Sequence, residues 1–146
     1  MTLKTQILLL IIGIIFVPQT LFAQVDFNKT PDDDLGNFED AFQEHFYEAL
    51  KQKGIENYDR AIKSLQKCLE LDDSKAVIYF ELGKNYTQLK NFGAAEDALK
   101  KAIDKAPNNE WFLDALYDVY YQMDDYDKAL KTVKQLVKFH PDYKED

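Results

Sequence analysis

Residues 76–109, AVIYFELGKNYTQLKNFGAAEDALKKAIDKAPNN, decide the fold. Apolar and small residues fall at Tyr79, Leu82, Gly83, Tyr86 and Leu89, then at Phe92, Ala95, Ala98, Leu99, Ala102 and Ile103. Both sets have the spacing of three and four that places side chains on one face of an α-helix. Lys90-Asn91 interrupts the pattern, so the stretch reads as two helices joined by a short turn. Gly83 and Ala95 are small enough for the two helices to approach closely. Pro107 ends the second helix, because it lacks an N–H and clashes with the preceding turn.

The same residues return at a fixed step. Moving 34 residues forward takes Leu82, Tyr86, Ala95 and Pro107 to Leu116, Tyr120, Ala129 and Pro141, and Gly83 and Ala102 to Tyr117 and Leu136. Moving 34 back takes Ala95 to Ala61, Leu99 to Leu65, Ala102 to Cys68 and Pro107 to Asp73. The turn signals Asn57-Tyr58, Asn91-Phe92 and Asp125-Tyr126 line up as well. The chain therefore holds three units, 42–75, 76–109 and 110–143, with no insertion. The first departs most: Glu48 and Gln52 stand where the others have Leu and Tyr, so its opening helix is expected to sit differently.

This pattern resembles the tetratricopeptide (TPR) repeat, which favours a large residue, Leu, Gly, Tyr, Ala, an aromatic, Ala and Pro at eight fixed positions of a 34-residue unit. Here they are Tyr79, Leu82, Gly83, Tyr86, Ala95, Leu99, Ala102 and Pro107. The resemblance implies an all-α fold, an α-solenoid of three helix-turn-helix repeats. A single hairpin cannot bury its apolar face alone, and stacking covers it.

Composition narrows the function. The chain of 146 residues has 18 basic and 26 acidic residues, a net charge of −8. Such an acidic chain lacks the electrostatic footprint for nucleic acid and is repelled by anionic lipid. The lone cysteine, Cys68, permits no internal disulfide, and its place in the repeat predicts a packed helix residue. No Gly-rich phosphate loop, HExxH, cysteine pair or nucleophile elbow occurs, so neither catalytic residue, cofactor nor metal site is expected. His45 and His140 lie in different units.

Residues 1–23, MTLKTQILLLIIGIIFVPQTLFA, have a basic start at Lys4, an apolar run from Ile7 to Val17, a break at Pro18 and a small residue at Ala23. That is the plan of a secretory signal peptide cleaved between Ala23 and Gln24. The run falls short of the roughly 20 residues of a spanning helix, and an uncleaved anchor is the rival reading. Residues 24–37 read as a flexible lead-in, with Asp32-Asp33-Asp34 solvated rather than arranged as a calcium loop. A helix is expected from Asn37 to Lys53, with Phe38, Phe42, Phe46, Ala49 and Leu50 on its apolar face. The repeat domain is thus 38–143 and the tail 144–146.

The resemblance also implies a role. In TPR proteins the first helix of each unit lines a concave groove that receives a peptide or a partner helix. The corresponding positions hold Gln43, Phe46, Tyr47, Leu50, Lys53 and Gly54 in unit one, and Val77, Phe80, Glu81, Lys84, Thr87 and Gln88 in unit two. Unit three supplies Trp111, Asp114, Ala115, Asp118, Tyr121 and Gln122. Phe46, Leu50, Phe80, Glu81, Lys84, Gln88, Asp114, Asp118 and Tyr121 are the candidate binding residues. Only Lys53 and Lys84 could grip a chain-end carboxylate, with Asp114 and Asp118 opposing them, so the groove suits an apolar or partly basic segment. The implied protein is an exported scaffold or adaptor of the periplasm, secreted or envelope-associated, whose protein partner is unidentified. An accessory or sensor domain of a larger envelope protein, and a self-assembling module, stand as alternatives. The last helix, with part of its Leu136–Phe139 surface uncovered, offers a route to a homodimer.

Overall fold

The structure is a computed structural model that describes residues 33–143, with side chains from Phe38 onward. Six helices follow one another: α1 (Asp33–Gly54), α2 (Tyr58–Leu71), α3 (Ala76–Gln88), α4 (Phe92–Lys105), α5 (Glu110–Gln122) and α6 (Tyr126–Phe139). There is no strand among the described residues. The pairs α1–α2, α3–α4 and α5–α6 are the three units expected from the repeat. Each later unit packs on the one before, with α3 against α2 and α5 against α4.

The turn inside each unit is built the same way. Glu56, Lys90 and Asp124 have φ of 60°, 57° and 59°, one such residue per unit. Around them Asn57 N–H donates to Gln52 O, Asn91 N–H to Tyr86 O and Asp125 N–H to Tyr120 O, at 2.8, 2.9 and 2.9 Å. Glu56, Lys90 and Asp124 N–H donate to Lys53, Thr87 and Tyr121 O. These paired bonds form a Schellman motif, which satisfies carbonyls at the end of a helix and is usually centred on glycine. None of the three residues is glycine, so each turn carries left-handed strain of about 1–2 kcal/mol. The next residue opens the following helix. Asn91 Oδ1 accepts from Ala94 N–H and Asp125 Oδ1 from Lys128 N–H, whereas Asn57 makes no side-chain cap.

Between units the helices stop by two devices. α4 and α6 end shortly before Pro107 and Pro141. α2 has Asp73 instead, and Asp72 closes the turn by accepting from the Ser74 N–H and hydroxyl at 2.9 and 2.6 Å. Those two bonds hold the Asp72 carboxyl at about 2.

The core runs along the seams between helices. Ala61, Ala95 and Ala129, one per unit, are buried. Leu65 and Cys68 of α2 pack with Ile78 and Leu82 of α3, and Leu99 of α4 packs with Leu116 and Tyr120 of α5. At Gly83 the two helices of the middle hairpin come close, since an added Cβ would meet Leu99 Cγ at 2.5 Å. Ala49 fills this place in unit one and Tyr117 in unit three. Cys68 is fully buried, with its Sγ toward the Phe42 carbonyl, and burial pushes its thiol up.

Three expectations need correction. α1 begins at Asp33 rather than Asn37, so residues 33–37 are helical and not part of a lead-in. At 22 residues α1 overhangs α3 and α5, which have 13 each. Phe38 is exposed rather than on the buried face. Leu136 is fully buried at the place of Cys68 and Ala102, so the uncovered part of α6 is Leu130, Val137 and Phe139. The signal segment and residues 144–146 lie outside the described residues.

Candidate functional site

The first helices α1, α3 and α5 carry the candidate residues, and their contacts sort them into two groups. Phe46 is half-buried, stacked on Phe42 with ring centroids 6.0 Å apart, and supports the core beside Leu65 and Ile78. Phe80 is half-buried and tilted against Phe112 at 4.9 Å, joining α3 to α5. Leu50 is half-buried as well. Glu81 is buried, and Lys53 Nζ reaches its carboxylate at 2.6 Å, tying α1 to α3. These side chains fix the relative positions of the three helices.

The second group is open to solvent. Trp111 and Tyr47 are each 65 % exposed and Tyr121 is 55 % exposed, although aromatic rings gain most from burial. Lys84 is exposed, with its ammonium over the Phe80 ring at 5.3 Å. Gln88 and Asp118 are exposed. Asp114 is half-buried and accepts from the Tyr143 hydroxyl, which brings the end of the described chain back onto α5. His140 reinforces that return: its Nε2 donates to the Asn108 carbonyl at 2.7 Å, and its Nδ1 lies 3.6 Å from Glu110.

The pairing of Lys53 with Glu81 decides the electrostatics. Of the two lysines that could face a chain-end carboxylate, one is committed to holding α1 on α3. Lys84 alone cannot form a cationic clamp. Elsewhere Glu96 of α4 gathers Lys100 at 2.6 Å, the Tyr120 hydroxyl at 3.0 Å and Lys128 of α6 at 3.5 Å. The Lys100 bond, followed by the Tyr120 bond, lowers the Glu96 carboxyl, while burial and then Glu96 raise the Tyr120 phenol. This network binds α4, α5 and α6 together.

A pocket of about 520 Å³ opens beside the overhang of α1, lined by Phe38, Glu39, Phe42, Gln43, Asp72 and Lys75. Lys75 sits over the Phe42 ring at 5.1 Å and pairs with Asp72 at 3.2 Å. Sequence reasoning missed this pocket, because it forms where α1 meets the Asp72–Lys75 turn, a contact between residues far apart in sequence. Among the described residues no cluster of His, Cys, Asp or Glu could hold a metal ion, and no helix is long and apolar enough to cross a membrane.

With six helices in three hairpins and the repeat in register, the class is a helical-repeat protein. A profile described as tetratricopeptide repeat matches residues 56–113 and 86–145, and the chain belongs to that family. The family is typically a non-enzymatic interaction scaffold. Among solved structures the chain is similar to the TPR2B domain of yeast Sti1 in complex with pHsp70, at 18 % identity and TM-score 0.66, over 70 % of this chain and 82 % of that one. It is similar to the first TPR of Spaghetti (RPAP3) bound to the HSP90 peptide SRMEEVD, at 18 % identity and TM-score 0.67, over 73 % and 84 %. It is also similar to MamA, at 24 % identity and TM-score 0.65, over 77 % and 74 %. At these identities the likeness is one of fold. No relative was found among curated proteins.

Proposed function

We propose that this chain is an exported adaptor that binds an extended or helical segment of a protein partner along α1, α3 and α5, without catalysing a reaction. The observation that carries the reading is the exposure of Tyr47, Trp111 and Tyr121 on these first helices. Large aromatic rings left in water beside a rigid scaffold are what a recognition surface needs, since they gain area on docking at little cost in side-chain freedom. Candidates Phe46, Leu50, Phe80 and Glu81 set the shape of the surface from beneath. Lys84, Gln88, Asp114, Asp118 and Tyr121 edge it.

The partner segment is apolar or partly basic. The acidic peptide named with the Spaghetti structure is a poor guide here, because Lys53 is tied to Glu81 and Asp114 and Asp118 add negative charge. Export rests on residues 1–23 of the sequence, whose basic start, apolar run and small residue at Ala23 favour processing and release into the periplasm. N-terminal sequencing of the exported protein is expected to begin at Gln24; a start at Met1 contradicts processing.

The groove is tested with residues 24–146 as bait in cross-linked envelope extract, beside Tyr47→Glu and Trp111→Glu. Both side chains are exposed, so neither change should unfold the helices. One protein captured by the unaltered chain and lost with both variants supports the groove. Capture that survives both, with helicity intact, refutes it.

A further inference from the structure

The α5–α6 seam carries a second docking surface, which adjoins the first-helix groove at Tyr121. Leu65 and Leu99 hold equivalent places in units one and two and are both fully buried, because α3 lies on the first and α5 on the second. The residue 34 further on is Val133, and with it on α6 come Tyr126, Leu130 and Val137. The first helix of a unit covers this face twice, in the same register. On unit three nothing among the described residues covers it: Tyr126 is 58 %, Leu130 53 % and Val137 43 % exposed. Tyr121 of α5 meets Tyr126 edge-on at 5.9 Å, so the apolar surface continues across both helices.

Charge selects the occupant. Lys134 and Lys138 border the exposed stripe, and neither forms an ion pair among the described residues, whereas Lys131 lines a pocket with Lys100, Leu116 and Tyr120 on the side toward α4 and α5. The equivalents of Lys134 and Lys138 in the covered units are Gln66 and Glu70, and Lys100 and Asp104, so two lysines together belong to this seam alone. A second copy is a poor fit. Its opening face offers Glu44, Glu48 and Gln52 where a docking helix has Ile78, Leu82 and Tyr86 or Phe112, Leu116 and Tyr120. Setting carboxylates on an apolar stripe costs desolvation without return, and two α6 faces together oppose their lysines.

We propose that this seam binds an amphipathic helix of a partner protein, with an apolar stripe at helical spacing and an acidic flank. The helix lies as α5 lies on α3 and α4, its apolar side on Leu130, Val133 and Val137 and its carboxylates toward the lysines.

The chain's own α5 supplies the probe. Residues 110–122, EWFLDALYDVYYQ, have that apolar stripe and no basic residue, with three acids on the opposite face. A fluorescein-labelled peptide of this sequence, blocked at both ends, is titrated with residues 24–146 and followed by anisotropy. Saturable one-to-one binding is expected, weakened at least tenfold by Leu130→Glu with Val137→Glu, a loss of about 1.4 kcal/mol or more. High salt should weaken it, and Trp111→Glu should leave it unchanged. Circular dichroism verifies that the variants remain folded, and Lys134→Glu with Lys138→Glu repeats the test without touching an apolar residue. No saturation by about 1 mM, binding indifferent to all four substitutions, or binding lost with Trp111→Glu overturns the proposal. So does sedimentation of the protein alone as a dimer that Val137→Glu dissolves, which assigns the face to a second copy.

Discussion

The two ends of the array are finished differently. At the opening end α1 presents Glu44, Glu48 and Lys51, with a Glu48–Lys51 ion pair at 3.4 Å and a Gln52 amide donating to Glu48 at 2.6 Å. At the closing end α6 presents Leu130 and Val137. The same repeat geometry underlies both. What differs is whether the residues that would meet a neighbouring unit have been made polar. Apart from Tyr47, the opening end is a polar face of the kind that terminates repeat arrays, and the closing end keeps the chemistry of an internal seam. The difference locates the place where a further helix can add.

The contrast between covered and uncovered seams has its largest expected consequence at equivalent positions. Leu65→Ala and Leu99→Ala should each cost about 2–5 kcal/mol, since both side chains are fully buried and leave cavities. Val133→Ala should cost about 1 kcal/mol or less, because its seam is open on one side. Urea denaturation of the three variants measures this. Equal losses at all three positions would erase the distinction.

Next in size is the approach at the middle hairpin. Gly83→Ala improves helix propensity by about 1 kcal/mol, yet its methyl would meet Leu99 Cγ at 2.5 Å. Overpacking of about 1–3 kcal/mol should win, for a net loss near 1 kcal/mol. Gly54→Ala has no heavy atom within 4 Å and should be neutral or mildly stabilising. A gain in thermal stability at Gly83 would mean that the hairpin can open without cost.

The turns allow a smaller test of opposite sign. Lys90→Gly and Glu56→Gly relieve left-handed strain and should stabilise by about 0.5–1 kcal/mol. Asp124→Gly should gain less, because Asp124 also accepts from the Tyr126 hydroxyl at 2.7 Å.

The pH prediction is the smallest. Asp72 titrates at about 2 in the folded chain against an ordinary 3.8, so its contribution is full above that ordinary value and is lost as pH falls toward 2. Ser74→Ala removes the hydroxyl bond. The midpoint gap between this variant and the unaltered chain should narrow through that window. A gap that is constant with pH would detach the turn from the Asp72 charge.

Much of this architecture was legible in the sequence. The spacing of Leu82, Tyr86, Ala95 and Pro107 across 34 residues is set by helix periodicity and close packing, which leave their mark on residue type. The turn conformation was not legible, because Glu56, Lys90 and Asp124 occupy a left-handed position without glycine to announce it. The early start of α1 was hidden because acids and a glycine in residues 33–36 read as loop. At the candidate site, position in the unit pointed to the first helices. It could not tell a side chain that supports the surface from one that faces solvent: Glu81 and Trp111 hold groove positions alike, yet one is buried on Lys53 and the other is exposed.

The most direct test of the two-ended account is the stability of a polar replacement on the open seam set against one on a covered seam. Leu130→Gln with Val137→Gln should leave the denaturation midpoint within about 0.5 kcal/mol of the unaltered chain, as surface changes do. Ile62→Gln with Leu65→Gln, on the seam that α3 covers, should cost more than about 4 kcal/mol. A loss of several kcal/mol from the first pair would show that the closing face is already packed, and would contradict the account.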